Sequence, residues 1–114
     1  MKQITITVPE IKDVEFTLTC HPEDTQVRGN VSAIDPETDK RLEDGIIRQL
    51  NNGNVWAWCL VEIKAKWKGL EGIDILGGCS YKSEKDFIKN SGYYEDMKQT
   101  AYNDLISNLE ELND

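Results

Sequence analysis

Residues 54–81 read NVWAWCLVEIKAKWKGLEGIDILGGCSY, and the fold turns on how they alternate. From Ala57 the odd positions are Ala57, Cys59, Val61, Ile63, Ala65 and Trp67. The even ones are Trp56, Trp58, Leu60, Glu62, Lys64, Lys66 and Lys68. Neighbouring side chains on a strand point to opposite faces, so this is one long strand with a buried odd face. Its even face is aromatic at the start and charged at the end. Lys68-Gly69-Leu70-Glu71-Gly72 reads as the turn into a partner strand. With Lys68 opposite Gly72, Lys66 pairs with Asp74 and Trp67 with Ile73, which keeps charges outside and apolar residues inside. Gly77-Gly78 predicts a bulge, or a point where another group approaches the backbone closely.

Upstream, Ile4, Ile6 and Val8 alternate with threonines, and Val14, Phe16, Leu18 and Cys20 alternate with polar residues. Two strands joined by a turn over Glu10–Asp13 are expected, forming a hairpin that Pro22 terminates because proline lacks the ladder amide. Asp35-Pro36-Glu37 then opens a helix, with an acceptor at the cap, proline at the first position and an acid in the first turn. Its stripe is Leu42, Ile46, Ile47 and Leu50, and Gly53 can take the left-handed conformation that ends it. Ser83 to Phe87 is a short helical turn. A last helix from about Tyr93 to Leu112 carries a core stripe of Tyr94, Met97, Ala101, Leu105, Leu109 and Leu112. The expected architecture is a single α+β domain over residues 1–114. It has an antiparallel sheet of about four strands and two helices on one face, in the order hairpin–helix–hairpin–helix.

A chain of 114 residues, 39% hydrophobic and 30% charged, suits one soluble domain with a modest core. No apolar run is long enough to span a bilayer, and Met1-Lys2-Gln3 leads into strand-like sequence. Three widely spaced cysteines do not make a disulfide framework, so a cytoplasmic protein without a membrane partner is expected. The net charge of −8 is concentrated at the C-terminal end, where residues 93–114 hold six acids and one base. That excludes a basic nucleic-acid footprint and direct nucleic-acid binding.

No stretch carries recognisable catalytic chemistry. Cys79, in Gly77-Gly78-Cys79-Ser80, is the obvious nucleophile, but a thiol nucleophile needs a base and His21 is the only histidine. A small cysteine-dependent enzyme is therefore the alternative reading, with core thiols as the plain one. Cys20, His21, Cys59 and Cys79 lack the close pairs of a zinc site, and no glycine-rich phosphate loop is present. No cofactor, metal or catalytic residue is expected. Lys64, Lys66 and Lys68 form a basic ridge that Glu62, Glu71 and Asp74 can neutralise.

Two features point instead to a protein partner. Trp56, Trp58 and Leu60 form an apolar patch beside a charged rim if helices cover only the odd face. A loop over Val27 to Ala33 would cover them. The last helix carries Glu95, Asp96, Asp104, Glu110 and Glu111, an acidic surface suited to a basic, nucleic-acid-binding protein or complex. Self-association as a homodimer or accessory oligomer through the Trp56/Trp58 face is the other use of that patch.

The pieces ITITVPEIKDVEFTLTC, GNVWAWCLVEIKAKWKGLEGIDILGGCSY, KSEKDF and SGYYEDMKQTAYNDL resemble a family of small acidic proteins carried by bacterial plasmids and phages. The resemblance implies a mobile-element protein in the cytoplasm of a bacterial host. In that setting small acidic proteins often inhibit host defence nucleases or CRISPR complexes by binding them. It implies no functional residue.

Overall fold

The computed structural model describes residues 7–31 and 34–112. Three strands, Glu15–Pro22 (β1), Cys59–Trp67 (β2) and Leu70–Cys79 (β3), form an antiparallel sheet in the order β1-β2-β3. The helices are Pro36–Asn51 (α1), Glu84–Asn90 (α2) and Tyr94–Leu112 (α3), with single 3-10 turns at Ile11–Asp13 and Val55–Ala57. The α+β class and the antiparallel sheet are as expected; among the described residues there are three strands and three helices where about four strands and two helices were expected. Ser83 caps a full helix, accepting from the Asp86 amide at 3.2 Å, so there is a third helix where only a turn was read. Ile4 and Ile6 of the expected first strand lie outside the described residues. Thr7 to Glu10 form no strand, and β1 pairs with β2 instead.

The β2–β3 turn has two residues, not five. Lys68 and Gly69 both have positive φ, 47° and 82°, which is the pattern of the tight hairpin turn whose twist matches the strands. Trp67 therefore faces Leu70, Lys66 faces Glu71 and Ala65 faces Gly72. Compared with the expected pairing, β3 has slipped by an odd number of residues, and an odd slip turns every side chain to the other face. Ile73 and Ile75, expected inside, stand outside at 38% and 51% exposure. Gly72 takes the inner position opposite Ala65.

That exchange lets α3 close onto the sheet. A Cβ on Gly72 would lie 2.1 Å from the Ala101 carbonyl oxygen and 2.3 Å from the Leu105 nitrogen, so the helix rests on bare backbone. Cys59, Val61, Ile63 and Ala65 on the odd face of β2 are fully buried, against Met97, Ala101 and Leu105 of α3 and Phe87 of α2. Leu109 is also buried, but Leu112 is exposed, so the core stripe stops one turn early. Two α3 side chains also bond the outer edge of β3. Asp104 accepts from the Ile73 amide at 2.9 Å and Asn108 donates to the Glu71 carbonyl at 2.8 Å.

Helix α1 does not share this face. Asp35 caps it by accepting from the Thr38 amide at 2.8 Å, as its sequence implies. Its main neighbour is the Val55–Ala57 turn, at the end of the sheet where β1 finishes and β2 begins. Residues 23–31 tie it there. Arg28 bonds Glu43 at 3.3 Å and Asp44 at 2.5 Å, and the Gly29 amide donates to the buried Glu43 carboxylate at 2.8 Å.

Candidate interaction surface

The thiols are core residues. Cys59 and Cys79 face each other across β2 and β3, and Cys20 lies diagonal to Cys59. Cys59 and Cys79 are buried and Cys20 half-buried. Burial pushes all three thiols up, furthest at Cys59. The thiolate, which does the chemistry, is thereby disfavoured. Cys79 donates weakly to the Leu76 carbonyl at 3.4 Å. His21 stands on the opposite, open face beside Glu62 at 3.8 Å. The single histidine therefore does not serve Cys79 as a base. Nor, among the described residues, does any group of three or more His, Cys, Asp or Glu have a metal-holding arrangement.

The bulge expected at Gly77-Gly78 is present: β3 gains a residue between Leu76 and Cys79, and Gly78 has φ 64°. Close approach occurs there too. Glu23 accepts from the Gly78 amide at 2.7 Å, and its carboxylate would sit 2.9 Å from a Cβ on Gly77. Nothing in the sequence around Glu23 signals this role, because the closure of residues 23–31 over the sheet end has no local signature.

That closure corrects the reading of the tryptophans. Strand β2 starts at Cys59, so Trp56 lies in a 3-10 turn and Trp58 caps it. Trp58 is only 5% exposed, and its indole N–H donates to the Thr25 carbonyl at 2.6 Å. Trp56 is half-buried and stacks at a tilt on Phe87, with ring centroids 5.7 Å apart. Neither is an exposed anchor. The covering loop wins because a buried indole needs a hydrogen-bond acceptor, and Thr25 supplies one. Leu60 alone of the three remains on the open face, half-buried.

The helix acids are similarly sorted. Asp104 is taken up by the Ile73 amide and Glu95 pairs with Lys98 at 3.4 Å. Asp96, Glu110 and Glu111 are exposed, but they sit at the two ends of α3, with Gln99, Thr100, Asn103 and Ser107 on the exposed surface between them. The acidic surface is two small patches, not a continuous one.

The surface left open is the second face of the sheet. It carries Thr17 and Thr19 from β1, Leu60, Glu62, Lys64 and Lys66 from β2, and Glu71, Ile73 and Ile75 from β3. Glu71 neutralises the basic ridge, lying 3.6 Å from Lys64 and 3.8 Å from Lys66. Two exposed isoleucines thus flank a row of mutually paired charges. Sequence reading missed Ile73 and Ile75 because it placed them inside; the two-residue Lys68-Gly69 turn was the signal that would have exposed them.

The fold and this surface define a small α+β protein with one covered and one open sheet face. No protein-family model, curated protein or solved structure matches the chain.

Proposed function

We propose that this is a non-enzymatic protein-binding module that docks a protein partner through the open face of its sheet and occludes a surface of that partner. The observation that carries this reading is the exposure of Ile73 and Ile75 side by side with a charged rim, the composition of an interface rather than of an idle sheet face. The net charge of −8 and the exposed Asp96, Glu110 and Glu111 favour a basic partner such as a nucleic-acid-processing protein. A mobile-element inhibitor of a host defence nuclease or CRISPR complex fits that chemistry. A cysteine-dependent activity finds no support in two buried thiols and one half-buried one, none of them beside the single histidine.

The test is affinity capture of the tagged protein from a bacterial lysate at low and high salt, comparing wild type with I73D/I75D and with D96K/E110K/E111K. The reading requires a stoichiometric basic partner that I73D/I75D loses and the helix variant retains with a weaker salt dependence. Retention by I73D/I75D rules out the sheet face as the docking surface.

A further inference from the structure

The two edges of the sheet are treated differently. On β3, Asp104 and Asn108 of α3 bond the outward groups of Ile73 and Glu71. Those bonds settle which way every strand faces. Backbone groups of alternate residues point to the same side of an antiparallel strand. If Glu71 and Ile73 face outward, Gly72 and Asp74 bond Ala65 and Ile63. Lys66, Lys64, Glu62 and Leu60 then bond Glu15, Thr17, Thr19 and His21 of β1. The backbone N–H and C=O groups of Phe16, Leu18 and Cys20 are left pointing outward. No described residue bonds them, and among the described residues no side chain caps this edge as Asp104 and Asn108 cap the other. Phe16, Leu18 and Cys20 are also only half-buried, although their face of the sheet is the core face.

We propose that the open edge of β1 pairs antiparallel with β1 of a second copy of this chain, producing a two-fold symmetric dimer with a continuous six-stranded sheet. The strand is complementary to itself in one register. Placing the two-fold axis at Leu18 sets Leu18 against Leu18 of the second copy and Phe16 against Cys20. All three outward residues of each copy then exchange N–H···O=C bonds, and a shift in either direction leaves one of them unpaired. In that register Thr17 faces Thr19 and Glu15 faces His21 in the closely spaced, non-hydrogen-bonded positions, so an acid meets an imidazole and no like charges meet. Pro22, which has no amide to donate, closes the ladder at each end. The half-exposed Phe16 and Leu18 of the two copies become neighbours on the covered face. This pairing uses the edge of the sheet and leaves Ile73 and Ile75 free, so it is independent of the partner proposed above.

Sedimentation analysis across a range of concentrations tests it with two double variants. Thr17 is exposed and Thr19 half-buried, both on the open face away from the core, so both variants fold, which circular dichroism checks. T17K/T19K places lysines opposite lysines across the new interface and should raise the dimer dissociation constant by about tenfold or more. T17E/T19K places acid opposite base across the interface, and also opposite Lys64 and Glu62 within each copy. It should dimerise at least as tightly as wild type. A wild type that stays monomeric at high micromolar concentration overturns the proposal. So does a T17K/T19K protein that dimerises like wild type, or a T17E/T19K protein that has lost its dimer.

Discussion

Gly72→Ala should unfold this protein more easily than any other single added methyl group. Its Cβ would lie 2.1 Å from the Ala101 oxygen, 2.3 Å from the Leu105 nitrogen and 2.8 Å from Leu105 Cα, all of them backbone atoms that cannot rotate aside. Reaching 3.4 Å, an ordinary contact, moves α3 away by about 1.3 Å (3.4 − 2.1). A gap of about 1 Å already forfeits up to half of each dispersion contact across it. The affected contacts are those of Ala101 and Leu105 with the buried face of β2. Overpacking of this kind costs about 1–3 kcal/mol. The Asp104–Ile73 and Asn108–Glu71 hydrogen bonds stretch as well, at about 1 kcal/mol each. The total is about 3–5 kcal/mol, a large share of the ~5–15 kcal/mol that stabilises a domain. With an unfolding entropy of about 2.1 cal/mol/K per residue, that lowers Tm by roughly 12–20 °C. Urea unfolding followed by tryptophan fluorescence reads it as a lower midpoint at unchanged slope. Gly45→Ala is the control, since nothing lies within 4 Å of its Cβ and it sits inside α1. It should gain about 0.5–1 kcal/mol from helix propensity. A Gly72→Ala protein as stable as wild type would refute the close approach of α3 and the register that creates it.

Other outcomes follow from the same geometry. In the native protein Cys59 and Cys79 should resist an aromatic disulfide reagent and react only in denaturant; rapid native labelling of Cys79 would reopen a catalytic role. Trp58→Phe removes the bond to the Thr25 carbonyl and should cost about 1 kcal/mol, with faster proteolysis within residues 23–31. Unchanged cleavage there would show that the indole does not hold the loop. Bonds from the Lys82 amide and the Asn90 side chain hold the Asp86 carboxyl below its ordinary value of 3.8. A lowered folded pKa stabilises above the unfolded value, and the stability is lost as pH falls through the folded one. Asp86→Ala should therefore lower Tm at neutral pH and match wild type in strong acid; an equal loss at both would contradict it.

How far the sequence could be read depended on whether the forces were local. Alternation along Cys59–Trp67, the Asp35-Pro36 cap, the α3 stripe from Met97 to Leu109 and the Gly77-Gly78 bulge all appear in the structure where they were read. Each expresses a periodicity or a backbone preference carried by neighbouring residues. The candidate surface was read less well. Trp58 looked like an anchor until residues 23–31 covered it, and Asp104 looked like a surface acid until it met the Ile73 amide. Both fates depend on residues about thirty positions away.

By itself, then, the sequence determined the strands β1, β2 and β3 and the helices α1 and α3, which face of β2 is apolar, and that the chain is acidic with no catalytic motif. Tertiary structure decided the rest. A two-residue turn and the approach of α3 onto Gly72 chose the register of β3, and with it the exposure of Ile73 and Ile75. Side chains from α3 capped the edge of β3, while among the described residues none caps the edge of β1. Periodicity tells a residue which neighbours share its face, but only packing against distant elements settles whether that face is covered.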